Sequence, residues 1–203
     1  MITFNFEDEY IIENEVVKLS PLRIESYTEL KEIAFEPELW KYTPPEIKNE
    51  EDLKNYIQST LDNRAQKREY PFIVFDKRTQ KYAGVTRLFQ ISTTIKALRI
   101  GYTWYGKEFH GTGLNKNCKY VLFEFIFEKL GFERIGLGAH AENKRSIAAM
   151  KSVGCKQEGI FRNIFPAVAT NGRADAVLVS ILRDEWLTTE KKMLQKKLVS
   201  KNE

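Results

Sequence analysis

Two glycines stand two residues apart, directly before a run of residues with helical spacing. They are Gly111 and Gly113 in the stretch FHGTGLNKNCKYVLFEFIFEKLG, residues 109–131. A helix start offers unpaired backbone N–H groups and the positive end of the helix dipole, and glycine lets a bulky anion approach the backbone closely. The loop is therefore a candidate phosphate-binding site. A plain turn after a strand would use the same glycines, so the loop alone leaves both interpretations open.

Two common nucleotide-binding motifs do not fit this loop. The P-loop requires G-x-x-x-x-G-K-[ST], and GTGLNKN lacks both that spacing and its lysine. The dinucleotide motif G-x-G-x-x-G requires a third small residue at the position of Lys116. Neither motif therefore supports a nucleotide-binding protein. That alternative predicts tight binding of ATP or NAD.

The elements that must position this loop follow from hydrophobic periodicity and turn residues. Strand patterns cover residues 15–22, 70–76, 82–91, 97–105, 133–140, 156–165 and 173–182. Helix patterns cover residues 23–35, 49–67, 114–130 and 143–154, and a charged helix starts near Asp184. A meander of strands followed by a strand–helix–strand crossover predicts an α/β (α+β mixed) fold, with helices on the faces of a mixed sheet. We expect a single domain over residues 1–203, with an N-terminal arm (1–14) and a C-terminal helix and tail (184–203).

Two local patterns in these elements bear on the site. In ALRIGYTWY (97–105), the alternation of Leu98, Ile100, Tyr102 and Trp104 predicts one core-facing side of a strand. In ENKRS, Asn143 precedes Ser146 by three residues at a helix start, which is the spacing of an N-cap.

Composition limits the class of protein. Among 203 residues, 42% are hydrophobic, and 32 basic and 28 acidic residues give a formal charge of +4. The charges are mixed along the chain, which argues against nucleic-acid binding. The acidic start and the lack of a long apolar run predict a cytoplasmic protein without membrane contact. Two cysteines without a CxxC motif, and two histidines, predict neither a disulfide framework nor a metal site.

From residue 97 onward, the sequence resembles the GNAT superfamily of acyl-CoA-dependent N-acetyltransferases. The superfamily signature [QR]-x-x-G-x-[GA] reads HGTGLN here: His110 replaces Gln or Arg, Gly113 is retained, and Asn115 replaces the small residue. TWY…HGTGLNKNCK, ENKRSIAAMKSVGCKQEGIFR, GRADAVLVSIL and EW are similar in kind and order to the ribosomal-protein N-terminal acetyltransferase (RimJ/RimL-like) branch. The resemblance covers about residues 15–190 and is strongest after residue 97.

The resemblance implies a mostly antiparallel twisted sheet of about seven strands, splayed at the fourth and fifth, with helices on both faces. It also implies acetyl-CoA as co-substrate, with its pyrophosphate on the glycine loop and its pantetheine arm between strands 97–105 and 133–140. The glycines Gly101, Gly136 and Gly138 suit a bulge or a close backbone approach there. The implied coenzyme-binding residues are Tyr102, Thr103, Trp104, His110, Gly111, Thr112, Gly113, Leu114, Asn115, Lys116, Asn143 and Ser146. Lys116, Lys119 and Arg145 would meet other phosphates or be solvated helix charges.

The implied reaction is direct attack of a neutral primary amine on the thioester in a ternary complex. Backbone N–H groups near residues 102–104 would polarise the thioester carbonyl, and Ser146 would protonate the departing thiolate. His140, Asp175 and Glu142 are the candidate bases. The loop with Trp40, Tyr42, Pro44 and Pro45 would cover the acceptor site or simply pack against itself.

Several functions remain open on the sequence alone. A protein N-terminus is the leading acceptor, and a polyamine, an amino acid or an antibiotic amine are alternatives. A non-catalytic acyl-CoA-binding sensor is the competing class, because the signature is altered and no base stands out. The expected partners are coenzyme A and an amine acceptor, and the chain would be a monomer or a homodimer.

Overall fold

Eight strands form one sheet in the order β1-β2-β3-β4-β5-β6-β8-β7. The computed structural model describes residues 4–42, 46–168 and 170–199. The strands are β1 (Ile12–Glu13), β2 (Val17–Pro21), β3 (Glu69–Asp76), β4 (Lys81–Ser92), β5 (Ala97–Tyr105), β6 (Arg134–His140), β7 (Lys156–Pro166) and β8 (Arg173–Leu182). Neighbouring strands are antiparallel except for β5 and β6, which are parallel. The sheet has one strand more than the sequence predicts, because the two-residue β1 adds an edge. The expected fourth and fifth strands are therefore β5 and β6.

The helices comprise the five predicted segments and one short addition, which lies in the predicted aromatic loop with Trp40. They are α1 (Tyr27–Ala34), α2 (Pro37–Trp40), α3 (Glu50–Ala65), α4 (Leu114–Glu124), α5 (Lys144–Ser152), α6 (Arg183–Glu185) and α7 (Lys191–Val199). A π-helical turn, Phe125–Lys129, continues α4, and another, Trp186–Glu190, joins α6 to α7. The expected caps are present: Asn49 Oδ1 accepts from the Asp52 N–H, and Asn143 Oδ1 from the Ser146 N–H, each over 3.0 Å.

Helices cover both faces of the sheet, as predicted. On one face, Leu98 and Ile100 of β5 pack with Leu114 and Val121 of α4; we call this buried cluster the first core. The opposite face carries the second core, which contains Leu30 of α1, Leu53 and Ile57 of α3, Val85 of β4 and Trp104 of β5. The glycine loop directly precedes α4, so it is anchored by the first core.

A β-bulge in β5 moves its side chains from one face to the other. Arg87 pairs with Gly101 and Val85 with Trp104, so two residues of β5 oppose one of β4. Tyr102 lies in this bulge with a φ of 49°. The prediction of one core-facing side is therefore wrong beyond Ile100: Tyr102 is 43% exposed, and Trp104 lies in the second core.

The two parallel strands separate beyond their first residues. Pairing between β5 and β6 joins Ala97–Arg99 to Arg134–Gly136. Both strands continue past this point, to Tyr105 and His140, without pairing to one another in the described structure. The predicted splay is thus present, and it leaves a wedge-shaped gap between the ends of β5 and β6.

Candidate functional site

The glycine loop lies at the wide end of this gap. Gly111 and Gly113 have φ values of 76° and 87°, in the left-handed region that favours glycine. A Cβ placed on Gly111 would meet nothing within 4 Å, so the backbone is open to an approaching group here. Gly113 is the N-cap residue of the 11-residue helix α4. An accessible glycine backbone at a helix start fits a phosphate group.

Arg78 holds the loop in place from the β3–β4 turn. Its Nη1 donates to the Thr112 carbonyl over 3.0 Å, and its Nε and Nη2 donate to Asp76 over 3.0 and 2.7 Å. Asp76 is fully buried. Burial pushes the pKa of Asp76 upward, but the hydrogen bonds and charge of Arg78 outweigh this and lower that pKa below its usual value. The ion pair holds Arg78 in position, and Arg78 in turn holds the loop through the Thr112 carbonyl.

His110 connects the loop to the start of α5. Arg145 Nη1 donates to His110 Nδ1 over 2.8 Å, so Nε2 carries the proton and donates to the Tyr105 carbonyl over 2.9 Å. Burial and the Arg145 charge lower the pKa of His110, which favours this neutral form. The loop and the helix that carries Asn143 and Ser146 are therefore brought together, and Arg145 acts as a link between them.

Lys119 does not behave as a surface charge, and that prediction is wrong. It is 4% exposed, and its Nζ lies 3.3 Å from Thr103 Oγ1 in the bulge. Thr103 Oγ1 is in turn 2.7 Å from Thr86 Oγ1. Burial lowers the pKa of Lys119 to about 8. The prediction failed because the helical spacing does not assign residue 119 to the buried face of α4, whereas its side chain points toward β5.

A cavity of about 370 Å³ lies beside the end of β6. Its lining includes Trp40, Tyr42, His140, Phe165 and Pro166. The ring of His140 is stacked on that of Phe165, with centroids 5.6 Å apart, and lies 5.3 Å from the ring of Tyr42. The predicted aromatic segment thus contributes to a cavity wall; Pro44 and Pro45 fall outside the described residues.

Both ring nitrogens of His140 are used by the backbone. Nδ1 accepts from the Glu142 N–H over 3.2 Å, so Nε2 donates to the Pro166 carbonyl over 3.1 Å. To accept a proton, His140 would have to give up the first of these bonds. Asp175 is also engaged, because its Oδ1 accepts from the Asn163 N–H over 2.9 Å at a bulge of β7.

The glycines of β6 have a different use from the predicted one. Pairing of β6 with β8 runs from Arg134 to His140 without a register shift, so β6 has no bulge in this pairing. A Cβ on Gly136 would lie 3.3 Å from Arg99 Cγ, and one on Gly138 would lie 3.1 Å from Arg99 Nη2. Gly136 and Gly138 therefore make room for the Arg99 side chain, whereas Gly101 does border the bulge of β5.

The profile of the family described as acetyltransferase (GNAT) domain matches residues 17–156, more than half of the chain. The chain belongs to the GNAT family. Members of this family use acetyl-CoA, and the loop, the bulge and the splayed strands lie where the GNAT resemblance predicts them.

Known GNAT proteins support the same assignment. YdaF of Bacillus subtilis, provisionally named a ribosomal N-acetyltransferase, is 31% identical over 104 residues, which are 51% of this chain and 55% of YdaF. The chain thus spans about half the length of YdaF. YnaD of the same organism, named an uncharacterized N-acetyltransferase, is 25% identical over 72% of this chain and 81% of YnaD. The crystal structure of a GCN5-related N-acetyltransferase from Brucella melitensis superimposes with a TM-score of 0.86 at 21% identity, covering 98% and 89% of the two chains.

In residues 4–42, 46–168 and 170–199, no group of three or more His, Cys, Asp or Glu side chains is arranged to hold a metal ion. Over the same ranges, no helix has both the length and the apolar character needed to span a bilayer.

Two arginines that contact the glycine loop or β6 are not marked by the sequence. Arg78 stands in a polar turn, and its contact with Thr112 spans 34 positions, so no local spacing marks it. Arg99 alternates with the apolar residues of β5, which is the position that the sequence pattern assigns to the solvent side. The available signal was the pair Gly136 and Gly138, which leaves space on the adjacent strand for a long side chain.

Proposed function

We propose that the chain transfers an acetyl group from acetyl-CoA to a primary amine, with a peptide or protein N-terminus as the leading acceptor. The observation that carries the proposal is the gap between β5 and β6, which has the glycine loop at one side and the aromatic cavity beside its other strand. A coenzyme arm and an amine that enter from opposite sides would meet in that gap, and proximity is the main requirement of direct transfer.

On the coenzyme side, this chain's residues bind and orient. Backbone groups from Gly111 to Lys116 would hold the pyrophosphate, helped by the dipole of α4. The separated edge of β5, at Tyr102 to Trp104, would pair with the pantetheine amides and donate toward the carbonyl oxygen. Asn143 and Ser146 at the start of α5 would lie near the sulfur. Bound acetyl-CoA supplies the activated acetyl group as a thioester.

On the acceptor side, the chain needs only a weak base for an N-terminal amine. With a pKa of about 8, roughly one α-amine in ten is neutral at pH 7, against about one lysine side chain in a few thousand. We propose that His140 shapes the cavity wall rather than accepting the proton, because its Nδ1 lone pair is held by the Glu142 N–H. The proton would leave through water, and Asp175 would support β7.

Two features favour a protein N-terminus over the smaller acceptors. The resemblance to the RimJ/RimL-like branch points to one, and YdaF is named for a ribosomal acceptor. The cavity is also open-sided and lined by rings, which suits the end of a longer chain better than an enclosed small molecule.

Steady-state release of free CoA with a panel of amines tests the proposal. The panel consists of a short peptide with a free N-terminus, its N-blocked form, spermidine and free lysine. We expect thiol release with the free peptide above the blocked one. Binding of acetyl-CoA by calorimetry without amine-dependent release would favour the sensor function, and absence of binding would overturn the coenzyme site as well.

A further inference from the structure

A second cavity lies on the face of β6 that carries His140. Alternate residues of a strand face the same side, so Gly136 and Gly138 lie on the same face as His140. Gly136 lines a cavity of about 280 Å³, together with Arg99, Arg134 and Glu158. His140 lines the first cavity and Gly136 the second, so both cavities border this face of β6, and we call the second one the groove.

Arg99 brings an uncompensated charge into this groove. Its side chain is half-buried and lies over Gly136 and Gly138, and its guanidinium is 5.3 Å from the centroid of the Phe89 ring. Among the described residues it has no hydrogen bond and no ion pair. The neighbouring Arg134 is already paired with Glu158 through two hydrogen bonds. Three charges of which two cancel leave the groove with one net positive charge.

The desolvation of Arg99 points in the same direction. Burial lowers the pKa of Arg99, Tyr102 opposes this, and the charge of Arg134 adds to it. A guanidinium keeps its proton even so. A half-buried cation without a protein anion beside it is a natural docking point for an anionic ligand group.

We infer that Arg99 binds a carboxylate of the acceptor, and that the preferred acceptor is a peptide with an acidic residue close to its free N-terminus. The inference rests on the proposed function, whose acceptor it makes more specific. Gly138 and His140 are two residues apart, about 7 Å along the strand. This distance suits an amine beside His140 and a carboxylate one residue further along a peptide, and it exceeds the spacing between the α-amine and the α-carboxylate of a free amino acid. A polyamine would meet the charge of Arg99 unfavourably.

Three tripeptide amides test the inference, identical except for Glu, Gln or Lys at the second position. Binding of each to the acetyl-CoA complex is measured by calorimetry, and thiol release is measured separately. For the wild type, we expect the Glu peptide to bind about tenfold more tightly than the Gln peptide, the effect of one charge-assisted hydrogen bond. Arg99→Gln should reduce this preference to within about twofold while binding of the Gln peptide is kept, and Arg99→Lys should retain part of it.

Charge reversal and a distant control complete the design. Arg99→Glu should make the Lys peptide the preferred one, which a merely structural role for Arg99 would not produce. Arg23→Gln is the matched control, because Arg23 is a surface arginine paired with Glu9 beyond the far end of β2; it should keep the Glu preference.

The two readouts separate the inference from the proposed function. A Glu preference in binding that disappears in Arg99→Gln supports the inference even where no thiol is released, in which case only the proposed function falls. Equal binding of the Glu and Gln peptides to the wild type, or no binding of either, overturns the inference even where thiol release proceeds.

Discussion

Lys119 and Thr103 join α4 to the bulge of β5: the buried ammonium and the threonine hydroxyl lie 3.3 Å apart. Thr103 is neutral, so the lysine charge is buried beside a hydroxyl rather than a carboxylate. Such burial disfavours the charged form and costs free energy of folding. The contact thus links α4 to the strand bulge but lowers the stability of the fold.

Replacement of Lys119 by methionine should stabilise the protein near neutral pH. The pKa of Lys119 falls from 10.5 to about 8 through burial, so the unfolded chain binds this proton more strongly than the folded one. Below pH 8 both states are protonated and the full cost is present. We expect Lys119→Met to raise the free energy of unfolding by about 1 to 3 kcal/mol at pH 7, measured by urea denaturation.

The pH dependence gives a second test of the same residue. Stability from this group should rise between pH 8 and 10.5 in the wild type and not in Lys119→Met. Burial raises the pKa values of Cys118 and Cys155 to about 11 and 12, which opposes the rise above pH 9, and the Lys119 charge partly lowers both values. The two curves are therefore compared between pH 8 and 9. Lys196→Met, on the exposed side of α7, is the control. A less stable Lys119→Met at pH 7 would contradict this account.

A carboxylate at Gly111 should weaken coenzyme binding. Gly111 has a positive φ and open space where a Cβ would lie, so Gly111→Asp would place a negative charge where the pyrophosphate is proposed to bind. Gly111→Asn has the same shape and tolerates the left-handed region. By calorimetry with acetyl-CoA, we expect Asp to reduce affinity by about tenfold or more relative to Asn. Equal affinities for the two variants would remove the loop from the coenzyme site.

Loss of Arg78 should affect both stability and the loop. Arg78→Gln leaves the buried Asp76 without its cation, and removes the hydrogen bond to Thr112. Arg78 is 37% exposed, so we expect a loss of about 1 to 3 kcal/mol of unfolding free energy, less than for a fully buried pair. Acetyl-CoA affinity should fall as well.

The double variant Asp76→Asn/Arg78→Gln separates these effects. It removes the uncompensated carboxylate and should recover part of the stability but not the affinity. The pKa of Asp76 is lower in the folded state than in the unfolded state. The ion pair therefore stabilises the folded protein fully above the unfolded-state pKa, and this contribution is lost as the pH falls from there through the folded-state pKa. An Arg78→Gln protein as stable as the wild type would argue against the bracing role.

His140→Phe should leave most of the activity intact. Phenylalanine keeps the stacking on Phe165 and loses the two backbone hydrogen bonds. We expect kcat with the best peptide acceptor to fall by less than about tenfold, against the 10²- to 10⁴-fold that removal of a general base would cost. The pH profile of kcat/KM should keep its acidic limb, which reports the acceptor amine; a fall of about 10²-fold or more in kcat would identify His140 as the base.

The order of the longer helices and strands could be predicted because they depend on local patterns, whereas the short β1 and α2 were not predicted. Alternation marks β5 and β6, and Asn49 and Asn143 cap helices at the spacing that the sequence displays. The change of side within β5 could not be predicted, because one inserted residue alters which face every later side chain occupies, and nothing in GYTWY marks the point.

The charged groups of the site were the hardest to predict. The sequence predicts a phosphate contact or a solvated charge for Lys119, because lysine is seldom buried. Its contact Thr103 lies on β5, so no local pattern on α4 reveals it. Arg78 and Arg99 depend on contacts with distant segments of the chain. Hydrophobic periodicity therefore locates the elements of this protein, whereas side-chain electrostatics depends on the tertiary packing.

The bulge at Tyr102 has a mechanical consequence for the whole molecule. Strand β5 contributes Leu98 and Ile100 to the first core and Trp104 to the second core. It therefore connects the two cores mechanically. Loss of packing on either side would displace the same short stretch of backbone, so we expect the first core and the second core to unfold in one cooperative transition.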